Sequence, residues 1–255
     1  MKIPPQSRTF PTDFHSRTGH HLPEEKSEVL GQLVKTMEYA EDNQMQLNLK
    51  KTKLMLFNPS KSWDFMLNFT TDGNELELVE ETRLLGVTVR SDLSWSAHVN
   101  DTVKRCNKRL WILRRLKKLG ADDEDLKEIY LTQIRSILEF AAPVWHPSLT
   151  GEQRLKLERI QKSALHIILN DRCNSYTSAC KTLKLDTLHT RREYLCKKFA
   201  KRSLKSQKFN KWFKTNNITS KTRSKQPKFH SVVSRTKRFE NSPISYMTNI
   251  LNRNT

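Results

Sequence analysis

Several absences narrow this chain before anything present in it does. It holds only 6 Gly in 255 residues, and none is arranged as the Gly-rich loop that cradles a phosphate. The four cysteines, Cys106, Cys173, Cys180 and Cys196, include no Cys-x-x-Cys pair, so reduced, partly buried thiols are expected and no metal or other cofactor. Eight histidines form no His-x-His, His-Glu-x-x-His or His-x-Asp, and no Gly-x-Ser-x-Gly occurs. The common zinc, iron and serine-hydrolase patterns are therefore missing. No stretch reaches the ~18 apolar residues that a membrane span needs. The charge-free run Phe140–Gly151 has 12 residues and two prolines. Met1-Lys2-Ile3-Pro4-Pro5-Gln6 lacks the apolar segment of a signal peptide, so an intracellular protein of nucleus or cytoplasm is expected.

Acidic residues are also scarce. Lys and Arg number 46 against 27 Asp and Glu, a formal net charge of +19. Residues 1–98 carry 11 cations and 14 acids, whereas residues 99–255 carry 35 and 13. Residues 181–255 alone carry 20 and 3. A surface charged only for solubility mixes its signs along the chain. This asymmetry points to a polyanionic partner, nucleic acid first and an anionic membrane surface second. With 36% hydrophobic residues, a packed core is expected for part of the chain rather than all of it.

The apolar pattern divides the chain. Residues 1–22, with Pro4, Pro5 and Pro11, predict a flexible lead-in. Helical spacing of Val29, Leu30, Leu33, Val34, Met37 and Ala40 follows. Leu54-Met55-Leu56-Phe57 predicts a short buried strand stopped at Asn58-Pro59. Asp72-Gly73 between alternating apolar residues predicts a β-hairpin. Thr82–Val89 predicts one further strand, with Gly86 at a bulge or a close backbone approach. From Ser94 the period becomes helical: Val99, Val103, Cys106, Leu110 and Leu113 make one stripe. Asp122 or Asp123 is placed to cap a second helix, and Thr150-Gly151-Glu152-Gln153 fits a capping box for a third. Shorter helices are expected around 175–183 and from Thr187 to about Ser203. Beyond Lys205 periodicity fades, apart from a closing segment at Pro243–Leu251.

The stretch from Met45 to Phe57, with Asn48-Leu49-Lys50-Lys51-Thr52-Lys53 at its centre, resembles the late palm of reverse transcriptases from non-LTR (LINE-like) retrotransposons. Thr82–Val89 resembles the primer-grip strand that follows there, and Asp92-Leu93-Ser94-Trp95 the entry to the thumb. Lys108-Arg109-Leu110-Trp111, Arg135–Phe140, Val144-Trp145, Leu157–Lys162 and Asn241-Ser242-Pro243-Ile244 continue in the family's order. The helical stretch 95–146 also resembles a segment named after an AlkB-type repair protein, whose iron-binding His-x-Asp is missing here.

The resemblance implies an α+β N-terminal part (one helix and a small antiparallel sheet, the remnant of a palm), then an all-α thumb-like bundle and a basic, largely irregular tail. The corresponding bounds are 1–22, 23–93, 94–204 and 205–255. In the family, two Mg²⁺ ions held by an Asp-Asp pair drive polymerisation. By this resemblance the chain begins after that pair. Tyr39-Ala40-Glu41-Asp42 imitates the family signature, yet its helical pattern predicts a solvated helix end rather than a strand hairpin. No enzymatic activity is therefore expected. What the resemblance retains is binding of RNA, DNA or an RNA–DNA hybrid. The candidates are Lys51 and Lys53 near a nucleotide site, and Lys104, Arg105, Lys108, Arg109, Arg115 and Lys118 on the first thumb helix. Lys197, Lys198, Lys201 and Arg202 open the densest basic run, which continues through Lys205, Lys208, Lys211 and Lys214 with Phe199, Phe209, Trp212 and Phe213 interleaved, a mixture suited to phosphate contacts and stacking. Trp95 and Trp111 are aromatics able either to stack on bases or to pack. An unrelated basic RNA- or DNA-binding protein, or an inert truncated element copy, is the alternative.

Overall fold

A computed structural model describes residues 24–45, 47–48, 51–57, 70–71, 74–172, 175–216, 228–230 and 234–253. The expected lead-in 1–22, Cys173, and the alternating Phe65, Leu67 and Phe69 lie outside these residues. The described chain is mostly helical with three two-stranded β pairs, and it divides into units at 1–81 and 82–255.

In the first unit, helix α1 (Glu24–Asp42) ends in a Schellman turn. Gln44 takes φ 55°, its N–H donates to Glu41 O, and Met45 N–H reaches back to Ala40 O. Strand β1 (Lys53–Leu54) pairs parallel with β4 (Glu77–Leu78). Strands β2 (Thr70–Thr71) and β3 (Asn74–Glu75) pair antiparallel, with Thr71 opposite Asn74. The expected hairpin is therefore present, its Asp72-Gly73 tip being outside the described residues. The expected buried strand 54–57 is not. Ladder pairing stops at Leu54, residues 54–56 are half-buried, and Phe57 is exposed. A two-residue pairing with one neighbour covers neither face of a strand.

The second unit begins within β5 (Glu81–Leu84), which pairs with β6 (Val87–Arg90). One continuous strand was expected here. Instead Leu85 (φ 47°) and Gly86 (φ 87°) make a two-residue turn with both central residues left-handed. The close approach expected at Gly86 is present: a Cβ there would stand 3.1 Å from the Phe140 ring.

Helix α2 (Ser96–Lys118) packs against α6 (Gly151–Leu169) as the centre of the unit. Gly120 (φ 89°) ends α2 in a second Schellman turn. Asp122 then caps α3 (Asp123–Ile129), accepting from Asp125 N at 2.8 Å. The helix continues through a π-helical stretch, Tyr130–Arg135, into α4 (Ser136–Glu139). Leu126, Tyr130, Ile134 and Leu138 are all fully buried at steps of four. In an α-helix each such step overshoots one turn by about 40°. The wider π turn takes back part of that drift and keeps the four on one face.

After α5 (Ala142–Trp145), α6 starts at the expected capping box. Thr150 Oγ1 accepts from Gln153 N at 3.3 Å, and Thr150 N donates to Gln153 Oε1 at 3.0 Å. Helices α7 (Tyr176–Thr182) and α8 (Leu188–Lys205) complete the bundle. One core runs through it, with Leu110, Leu113, Leu126, Trp145, Leu157 and Ile168 almost wholly buried. Fully burying a side chain of this size contributes about 1.5–3 kcal/mol.

A polar chain crosses that core. Tyr130 OH donates to Gln161 Oε1 at 2.5 Å, and Gln161 Nε2 donates to Tyr176 OH at 2.9 Å and to Asp186 O at 2.8 Å. Tyr176 OH donates to Glu158 Oε2 at 2.6 Å, while Glu158 Oε1 accepts from His189 N at 2.7 Å. Four segments are thereby tied through one glutamine. Nearby, Arg192 is fully buried over the Trp145 ring, and its Nε donates to His146 Nδ1 at 3.2 Å.

The stretch expected to be a largely irregular tail contains α9 (Lys237–Glu240), and α10 (Pro243–Asn252) stands at the expected closing segment. Residues 214–216 pair with 228–230 around a Thr215–Phe229 bridge. Phe213, Phe229, Met247 and Leu251 close over Ala200 of α8 in a second small core. These contacts join residues far apart in sequence, so no local periodicity announces them.

Candidate nucleic-acid interface

The cations of α2 divide by face. At 100° per residue, Lys104, Lys108, Trp111, Arg115 and Lys118 form one stripe, opposite the buried Val99, Cys106, Leu110 and Leu113. All five stripe residues are exposed, Trp111 at 61%. The Arg115 guanidinium lies over the Trp111 ring, 5.7 Å from its centroid. Arg105 and Arg109 sit on the flank instead. Arg109 donates to Gln133 Oε1 at 2.6 Å, and Arg105 is half-buried, with its Nε enclosed. Lys117 is turned to structure: its Nζ donates to Asp123 Oδ1 at 2.9 Å and to Ile168 O at 2.8 Å. Arg172 closes on the same carboxylate, and the Lys117 bond, ahead of Arg172, holds Asp123 below the usual carboxylate range.

Helix α8 repeats the pattern. Arg191, Tyr194, Lys198, Lys201 and Lys205 recur at steps of three and four, opposite the buried Leu188, Arg192, Cys196, Ala200 and Ser203. Lys198, Lys201, Arg202 and Lys205 are exposed, Lys197 is half-buried, and the Arg191 guanidinium lies over the exposed Tyr194 ring. Arg191 and Tyr194 were missed from the sequence, although a helical wheel drawn through Lys198 and Lys201 passes through both.

The acids are drawn elsewhere. Glu139 takes Arg135 and Arg191, Asp123 takes Lys117 and Arg172, and Glu124 and Glu152 take lysines on their own helices. Among the described residues, Lys104, Lys108, Arg115, Lys118, Lys198, Lys201, Arg202 and Lys205 form no ion pair. Eight outward charges are thus left unneutralised on two helices.

In the first unit, Asn48 organises its own motif. Its carbonyl accepts from Lys51 N, Thr52 N and Thr52 Oγ1 at 3.0–3.1 Å, and the turn delivers Lys53 to β1. Lys51 is exposed, whereas Lys53 Nζ lies 3.2 Å from Glu77 Oε2 on the paired strand. Glu41 and Asp42 are exposed in the last turn of α1, before its Schellman cap. Trp95 is half-buried against the core, the packing alternative of the two open for it.

No protein family, curated protein or solved structure matches this chain.

Proposed function

We propose that this chain is a non-catalytic nucleic-acid-binding protein, derived from the late palm and thumb of a non-LTR retrotransposon reverse transcriptase. It grips the phosphate backbone of a template–primer through the outward faces of α2 and α8. The observation that carries the reading is the set of eight unpaired cations on the outward faces of two helices, while Asp123 and Glu139 of the same unit pair with other cations. Cations set aside in this way add little to packing and supply the sequence-independent attraction that backbone binding needs. The position of Glu41 and Asp42 in a capped helix end supports the absence of polymerisation, which requires carboxylates placed to hold two metals.

The test is the salt dependence of binding to an RNA–DNA hybrid, duplex DNA and single-stranded RNA. Each neutralised duplex phosphate adds about −0.9 to the log–log slope, so engagement of one four-cation stripe or more gives about −4 or steeper. Replacing Lys104, Lys108, Arg115 and Lys118 together by Gln should make that slope shallower by about 4 units. No binding at 50 mM salt would mark an inert fragment and refute the proposal. DNA synthesis by the chain on a primed RNA template would refute its non-catalytic half.

A further inference from the structure

The segment after α8 carries a different kind of surface. Lys205, Lys208, Lys211 and Lys214 recur at every third residue, and all four are exposed. Lys205 closes α8 and Ser206 is extended, after which the backbone winds in tight turns as far as Phe213. Phe209 N donates to Ser206 O at 3.1 Å, Trp212 N to Phe209 O at 3.1 Å, and Phe213 N to Asn210 O at 3.0 Å. Residues three apart eclipse in such winding. Three edges result within 208–213: Lys208 with Lys211, then Phe209 with Trp212, then Asn210 with Phe213. Phe213 anchors the third edge in the small core with Phe229, Met247 and Leu251. The lysine and aromatic edges therefore face outward side by side. The Phe209 and Trp212 rings lie 4.8 Å apart at 47°, yet they remain 36% and 39% exposed. No acidic residue occurs in the sequence between Glu193 and Glu240.

We infer that this turn holds a single-stranded nucleic acid, with phosphates along the lysine edge and an unpaired base against the Trp212–Phe209 pair. The inference rests on the backbone-binding proposal above and narrows it. A duplex keeps its base faces inside the stack, so exposed rings gain little from it, whereas any unpaired base offers a face to stack. The contrast with α2 is informative. There the Arg115 guanidinium already covers one face of Trp111, and the stripe offers mainly charge. An anionic membrane would call for a broad apolar face, and this edge is two rings wide between lysines.

The test compares the full chain's affinity, at one salt concentration, for an oligo-dT, an abasic oligomer of equal length and charge, a hairpin duplex, and phosphatidylserine vesicles. Oligo-dT should bind about tenfold or more tighter than the abasic strand. The Phe209→Ala/Trp212→Ala variant should lose that preference with duplex affinity unchanged. Should the double variant lose helical circular dichroism, Trp212→Phe must keep the preference and Trp212→Leu must lose it. Equal affinity for dT and the abasic strand would overturn the inference and leave backbone binding standing. No binding to any probe would overturn both. Tighter binding to vesicles than to dT would reassign the turn to a lipid surface.

Discussion

Lowering the pH from 7 to 5 should cost the helical unit about 4 kcal/mol of stability, through two buried histidines. His98 Nδ1 already accepts from Thr88 N at 3.4 Å, and His146 Nδ1 from Arg192 Nε at 3.2 Å. A proton added at either atom would face a donor. Burial, seconded by the Arg105 charge, pushes His98 from 6.5 down to about 4. Burial, seconded by Arg192, pushes His146 down to about 3. Both folded values lie below the unfolded one, so the unfolded chain binds these protons first. The stability they contribute is complete above pH 6.5 and is lost as the pH falls toward the folded values. Between pH 6.5 and 5 each site loses about 2 kcal/mol, at about 1.36 kcal/mol per pH unit. Asp92 and Asp123, whose folded values lie below 3.8, act only at lower pH. Urea unfolding followed by far-UV circular dichroism at pH 7, 6, 5.5 and 5 reads this as an uptake approaching two protons. His98→Asn keeps an acceptor for Thr88 N and removes one titration, so it should roughly halve the slope. A slope under about half a proton, or one unchanged by His98→Asn, would refute the reasoning.

Gln161→Leu should destabilise the chain by about 3 kcal/mol, since it removes three hydrogen bonds and leaves the fully buried Tyr130 hydroxyl without an acceptor. Adding Tyr130→Phe should recover about 1 kcal/mol relative to additivity, and an additive cycle in urea melts would count against the polar chain. Gly86→Ala should cost about 1–2 kcal/mol, because φ is 87° and the new Cβ meets the Phe140 ring. Phe140 is half-exposed and can give way, so Phe140→Ala in the same chain should restore only a minor part; full recovery in thermal melts would assign the cost to the ring instead.

The parts of the fold legible in the sequence are those written locally. Asp122 and the Thr150–Gln153 box act within one turn of themselves, and each caps the helix expected of it. The Leu85–Gly86 turn was not legible, because a leucine at φ 47° is held there by the pairing of β5 with β6 rather than by its own preference. The burial expected for 54–57 needed partner strands that a run of four apolar residues cannot specify. The π stretch left only the unusual four-residue spacing of Leu126, Tyr130, Ile134 and Leu138. At the interface, sequence counts cations without telling their duties. Lys117 and Lys118 are neighbours of one type, but one is held by Asp123 and Ile168 O while the other points outward.

That division has an energetic consequence. Like charges three or four residues apart on a helix destabilise it by about 0.2–0.5 kcal/mol per pair. The outward stripes contain Lys104 with Lys108 and Arg115 with Lys118 on α2, and Lys198, Lys201, Arg202 and Lys205 in mutual register on α8. Six such pairs cost about 1–3 kcal/mol at low ionic strength. On α2 the Arg115–Trp111 contact offsets this by about 0.5–1 kcal/mol at an exposed site, and the last-turn cations Arg115 and Lys118 of α2 and Arg202 and Lys205 of α8 each regain about 0.3–1 kcal/mol from the helix dipole. The two effects roughly cancel, so folding alone gains little from cations there. Replacing Lys198, Lys201, Arg202 and Lys205 by Gln should therefore leave stability within about 1 kcal/mol of the parent chain in 20 mM salt, while weakening nucleic-acid binding. Both contributions shrink in 0.5 M salt, where these exposed charges are screened. If the substitutions lower stability in step with binding, the lysines support the fold, and the case for an interaction surface on α8 fails.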